Sequence, residues 1–151
     1  MSVILNLTQH KATREQCEEG VIDLTPELQD KLRSLLTFNE LPSCEEIKHR
    51  TDGIYDLVIE FVTNGDSPIK DEVKNLIDKD GLVNESEFKK FGFRFMIGGA
   101  PYLMGPLTNE LANLGECIFA FSKRVSSEVI EPSGSITKKT VFKHDGFVPA
   151  C

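Results

Sequence analysis

Apolar and polar positions alternate along this chain in two rhythms, short apolar runs and longer stripes at helical spacing. Val3-Ile4-Leu5-Asn6-Leu7 predicts a first strand, followed by the polar loop Thr8-Gln9-His10-Lys11-Ala12. Thr13 and Gln16 have capping-box spacing, so a short helix is expected from Arg14, with Gly20 as its stop. Val21 to Leu24 reads as a brief extended piece. Thr25-Pro26-Glu27 is a cap followed by Pro at the first helical position, and Leu28, Leu32, Leu35 and Leu36 then form a core-facing stripe. Leu41-Pro42 breaks that helix. Ser43 and Glu46 form a second capping box and open a long helix from Cys44, with Ile47, Ile54, Leu57, Val58 and Phe61 on one side. Gly53 inside it costs roughly 1 kcal/mol against Ala and permits a bend.

Asn64-Gly65-Asp66-Ser67-Pro68 reads as a loop, and the charged residues 69–91 as one or two helical turns. Residues 64–92 are thus expected to be an insertion or flank on a single domain spanning 1–151. Phe93 to Ile97 predicts a second apolar strand. Gly98-Gly99-Ala100-Pro101 follows directly, then a helix from Tyr102 to about Leu114, stopped by Gly115. Cys117 to Phe121 predicts a third apolar strand, ending in Ser122-Lys123-Arg124. The remainder reads as a hairpin: Ser127 to Ile130, a turn over Pro132 to Ser135, and a return from Ile136 to Phe142. Apolar strands separated by helices imply a parallel sheet buried on both faces. The expected fold is a small α/β, Rossmann-like domain with a mainly parallel sheet, flanking helices and a C-terminal antiparallel hairpin.

Charge narrows the partners. Over 151 residues the net charge is −7, which argues against a duplex nucleic acid as ligand. The charge is uneven: residues 1–116 carry 12 basic and 21 acidic side chains, residues 117–151 carry 5 and 3. A local anion site near the C-terminus therefore stays open. No apolar run approaches a membrane span, and no secretory leader is expected at the N-terminus. Cys17, Cys44, Cys117 and Cys151 form no CxxC pair, which fits free thiols in a reducing cytoplasm.

In an open α/β sheet, ligands bind beyond the carboxyl ends of the strands. Three such ends carry candidate chemistry. Gly98-Gly99-Ala100-Pro101 combines close backbone approach with a helix start, an anion site or simply a tight turn. Ser122, Lys123 and Arg124 offer a hydroxyl and two cations for phosphate oxygens, or a solvated strand end. Thr8, Gln9 and His10 supply a hydroxyl, an amide and an imidazole able to move a proton near neutral pH. His144 is a weaker candidate, and His49 reads as solvated.

Two patterns fail as sites. Around Asp78 to Lys89, both registers of a calcium loop lack a required residue. Phe91, Phe93 and Phe95 have the spacing of a packed strand face rather than a base-stacking platform. No metal or cofactor is expected.

The segment His10-Lys11-Ala12-Thr13-Arg14-Glu15-Gln16 after a short strand resembles the opening of small single-domain CRISPR-associated proteins of Rossmann type, with the pattern His-x-Leu/Ala-Thr-x-Glu-Gln. These are related to CARF sensor domains, and several are ring nucleases or binders of cyclic oligoadenylates. The resemblance covers about 15 residues plus the general layout. It implies a small cyclic nucleotide ligand, metal-independent cleavage by the ligand's own 2′-hydroxyl, and a homodimer. The expected catalytic set is His10, Lys123 and Ser122, with Thr8, Gln9, Gly98, Gly99, Ala100 and Arg124 binding the ligand. Two other readings stand beside it: a sponge or sensor without turnover, and a protein-interaction module using the acidic helical half.

Overall fold

Four of the five helices start where a side chain accepts an orphan amide. In the computed structural model, which describes residues 3–64, 69, 73 and 75–150, Thr13 accepts from the Gln16 amide at 3.2 Å. Gln16 Oε1 accepts from the Thr13 amide at 3.0 Å, closing the box. Thr25, Ser43 and Asn84 each accept one amide at the next three starts; the second box expected at Ser43 and Glu46 is only half made, because the Glu46 carboxylate turns to Arg50 at 2.7 Å. The elements run β1 (Ile4–Leu7), α1 (Arg14–Glu18), β2 (Val21–Ile22), α2 (Pro26–Leu36), α3 (Cys44–Thr63), α4 (Glu85–Phe91), β3 (Arg94–Ile97), α5 (Pro101–Leu111), β4 (Glu116–Ile130) and β5 (Ile136–Pro149). Among the described residues no helix is long and apolar enough to cross a membrane.

The strands form one sheet in the order β2-β1-β3-β4-β5. β2, β1, β3 and β4 are parallel, and β5 runs antiparallel to β4 at the edge. This is the expected mixed α/β architecture. Side chains alternate across the sheet. Leu5, Leu7, Phe93, Phe95, Ile97 and Cys117 join the main core with the apolar stripes of α2, α3 and α5. Ile4, Val21, Met96 and Ile118 form a small second cluster with Ala12 and Phe147. The strand moves from β1 to β2 and from β3 to β4 run in opposite directions, so right-handed crossovers place their helices on opposite faces. Phe93 and Phe95 stack in the core at 6.2 Å between ring centroids, as the packed-face reading expects.

Three details extend or depart from the sequence reading. α3 runs continuously through Gly53, whose part is also steric: a Cβ there would stand 2.8 Å from Leu35 Cδ2, so the glycine lets α2 approach α3 closely. α5 ends at Leu111, and Gly115 serves as a crossing point, where a Cβ would lie 2.2 Å from the Phe93 carbonyl oxygen. β4 does not end at Ser122. It continues through Lys123, Arg124 and Val125 to Ile130 because β5 pairs with it along that whole length, after a register shift at Phe121/Ser122. The third strand and the hairpin are therefore one element.

Of the 64–92 segment, residues 65–68, 70–72 and 74 lie outside the described residues, as does Cys151. The remainder is ordered by its own chemistry. The Asp78 carboxylate accepts from the amides of Asp80 and Leu82, both at 2.9 Å, and so organises the turn that had looked like a calcium loop. α4 follows and buries Phe88 against Phe93, with ring centroids 5.6 Å apart.

Candidate functional site

The crevice begins with a polar residue in an apolar strand. Asn6 is 4% exposed and uses both ends of its amide. Its Nδ2 donates to the His10 carbonyl at 2.7 Å and to Asp23 Oδ1 at 2.8 Å. Its Oδ1 accepts from the Thr8 amide at 3.0 Å and from the Thr8 hydroxyl at 2.7 Å. Asp23 Oδ1 also accepts from the Ala12 amide at 3.1 Å. A buried amide this fully satisfied holds the loop Thr8–Ala12 in one shape. Nothing in a strand pattern announces that role, although a lone Asn amid Ile, Leu and Leu is the signal that was available.

The second wall is the turn after β3. Gly99 sits at φ +149°, in a region that disfavours side chains, and a Cβ on Gly98 would touch Thr8 Cγ2 at 3.4 Å. Ala100 gives α5 no side-chain cap, so the helix start is left to other partners at its first turn.

These two loops enclose a cavity of about 480 Å³. Thr8, Gln9, His10, Gly98 and Gly99 all line it, together with Lys11, which the sequence reading had left out. Met96, Phe119 and Ala120 form its floor. The position is significant: β1 and β3 are neighbours, and their connections leave in opposite directions, which is the switch point where open α/β sheets bind ligands. The volume falls in the range of small-molecule sites, about 300–1,000 Å³. Ala100 is not in the lining but adjoins it through Gly99.

Ser122, Lys123 and Arg124 do not line this cavity. All three are exposed on the part of β4 that leaves the sheet. Ser122 follows Ala120 by two residues and shares its face, about 7 Å further along. Lys123 points to the other face, 3.8 Å from Asp145. Arg124 lies over the Phe142 ring at 5.6 Å. The reason is the strand extension described above: what looked like a strand end at the crevice is the root of an arm. His144 lies at that root, with Nε2 2.8 Å from Glu19 Oε1, its ring beside Phe147 and a buried Nδ1 that has no hydrogen-bond partner among the described residues. His49 is exposed.

A second cavity, about 520 Å³, opens at the opposite end of β3 and β4, lined by Arg94, Thr108, Glu116 and Cys117 among others. Burial pushes the Cys117 thiol up to about 11, so it is not a nucleophile near neutral pH. The larger volume does not make this the better site, because it faces the amino ends of the strands, away from the switch point.

Fold and crevice together define an open, mainly parallel α/β domain with a crevice at its switch point. The chain belongs to the Uncharacterized protein MJ1673 family, whose model matches residues 2–148. Neither the curated proteins nor the solved structures contain a match to it.

Proposed function

We propose that the crevice between the β1 and β3 loops binds a small phosphorylated nucleotide, with a cyclic oligonucleotide signal as the first candidate. The observation that carries this reading is the meeting of Thr8–Lys11 with Gly98-Gly99 around one cavity, beside the residues that lead into α5. Backbone amides and a helix dipole suit an anion. Lys11 supplies the cation, Thr8 and Gln9 supply hydrogen bonds, and the apolar floor at Met96 and Phe119 suits a base. Lys11 thus takes the charge-offsetting part assigned from sequence to Lys123 and Arg124.

Cleavage is the stronger form of the same proposal. The ligand's 2′-hydroxyl attacks its adjacent phosphorus and gives its proton to solvent water, the bond to the 5′-oxygen breaks, and a protonated His10 passes its proton to that leaving oxygen and regains one from solvent. A 2′,3′-cyclic phosphate and a free 5′-hydroxyl result, with no oxidant or metal consumed. A sponge or sensor would use the same contacts without turnover. A cytoplasmic setting fits the free thiols.

The test is thermal shift against cyclic oligoadenylates and linear mononucleotides, with products followed by chromatography. Binding should raise the melting temperature and weaken as salt rises. Lys11→Ala should weaken affinity about tenfold or more, the scale of one charge-assisted hydrogen bond. His10→Ala should stop product formation while binding persists, and Lys123→Ala should change neither. No shift with any nucleotide would sink the proposal.

A further inference from the structure

Beyond the sheet, β4 and β5 form a two-stranded arm. β3 pairs with β4 only as far as Ile118, while β4 and β5 stay paired to Ile130 and Ile136. Every residue from Ala120 to Lys143 is exposed. A ribbon of nine residue pairs reaches about 30 Å, and free two-stranded ribbons are marginal in water. This one also exposes Phe121, Val125, Val129, Val141 and Phe142.

Its two faces differ. On one, Glu128 stands opposite Lys138 and Arg124 covers Phe142, so charge and ring are matched within the arm. On the other, Lys123 stands directly opposite Lys143, and Lys139 follows beside Ser127, around Val125, Val129 and Val141. Like charges directly opposite in a ladder destabilise it. Among the described residues, Asp145 reaches Lys123, at 3.8 Å. This face is complementary to a negative surface with apolar contacts.

The body carries one. Asp52 on α3 and Glu110 on α5 are close enough to influence each other's ionisation, Asp56 lies one turn further, and the Tyr55 hydroxyl donates to Glu85 at 3.3 Å. Lys48 binds Asp52 at 3.0 Å. Burial and the Asp52 carboxylate hold the Glu110 carboxyl above its ordinary range, a sign of crowded negative charge. Tyr55 and Ile59 add half-buried apolar surface there. α3 has 20 residues, so it too spans about 30 Å.

We propose that two copies of this chain exchange arms, the Lys123–Lys139–Lys143 face of each lying along the acidic α3–α5 face of the other. One arm about 10 Å wide and 30 Å long covers roughly 300 Å², or about 600 Å² counting both partners. Reciprocal exchange doubles this to about 1,200 Å², the lower end of stable interfaces, so the dimer needs both arms. Arm-to-arm pairing would place lysine rows together and is disfavoured.

Sedimentation of the full chain tests this independently of any nucleotide. At low salt the protein should be a dimer that dissociates as salt rises. K123E/K139E/K143E and D52K/D56K should each be monomeric alone, and their equimolar mixture should recover a dimer, because each arm then meets the opposite charge. That recovery also shows that both variants are folded. A monomer at every salt and concentration overturns the proposal, as does a dimer indifferent to the body substitutions. An arm that binds single-stranded RNA while the protein stays monomeric overturns it too.

Discussion

Asn6 shows how much one side chain can organise. Replacing it with Leu leaves the His10 carbonyl, the Thr8 amide and the Asp23 carboxylate short of a partner. We expect a loss of about 2–3 kcal/mol in urea denaturation, from buried groups left unsatisfied. Cys117 offers a pH test. Its thiol ionises near 9 when unfolded and near 11 when folded. Between those values the unfolded chain has released the proton and the native chain retains it, so stability falls as pH rises. Denaturation at pH 8 and pH 11 should show that drop, and Cys117→Ala should lessen it. Gly115→Ala forces a Cβ onto the Phe93 carbonyl and should cost about 1–3 kcal/mol. Neither Asn6 nor Lys11 was legible as a site residue, because their roles depend on which loops meet. Thr8, Gln9, His10, Gly98 and Gly99 were legible, because strand-end position alone places them.

Among the elements, helix starts were legible because a cap is a local bargain between one side chain and one amide. Thr13, Thr25 and Ser43 stand where their spacing placed them. Thr25→Ala should therefore cost about 1 kcal/mol in thermal denaturation. Gly53 sits between two effects. Alanine favours the helix by about 1 kcal/mol but presses on Leu35 Cδ2, the movable end of a side chain. We expect Gly53→Ala to be close to neutral and Gly53→Leu to lose about 1–3 kcal/mol, because a bulky group must push α2 away. The long strand was not legible. Ser122-Lys123-Arg124 has no core-facing alternation, since no core lies beside it, so polarity imitates an ending. Only the partner strand reveals the continuation.

For the whole molecule, β4 belongs to two environments. Its first residues pair with β3 inside the sheet, Ile118 pairs with both β3 and β5, and its remainder pairs with β5 alone. One strand then has two lifetimes. The amide hydrogen of Ile118 is released only when the whole domain opens, whereas those of Val125 and Val129 are released whenever the ribbon frays. Deuterium uptake by mass spectrometry should split within β4 close to Phe121, with minutes or less on the tip side and hours on the sheet side. Uptake on the tip side should slow as protein concentration rises, since assembly would make fraying wait for dissociation. The register shift at Phe121/Ser122 is thus a boundary in time as well as in space, where a slow clock and a fast one share a single backbone.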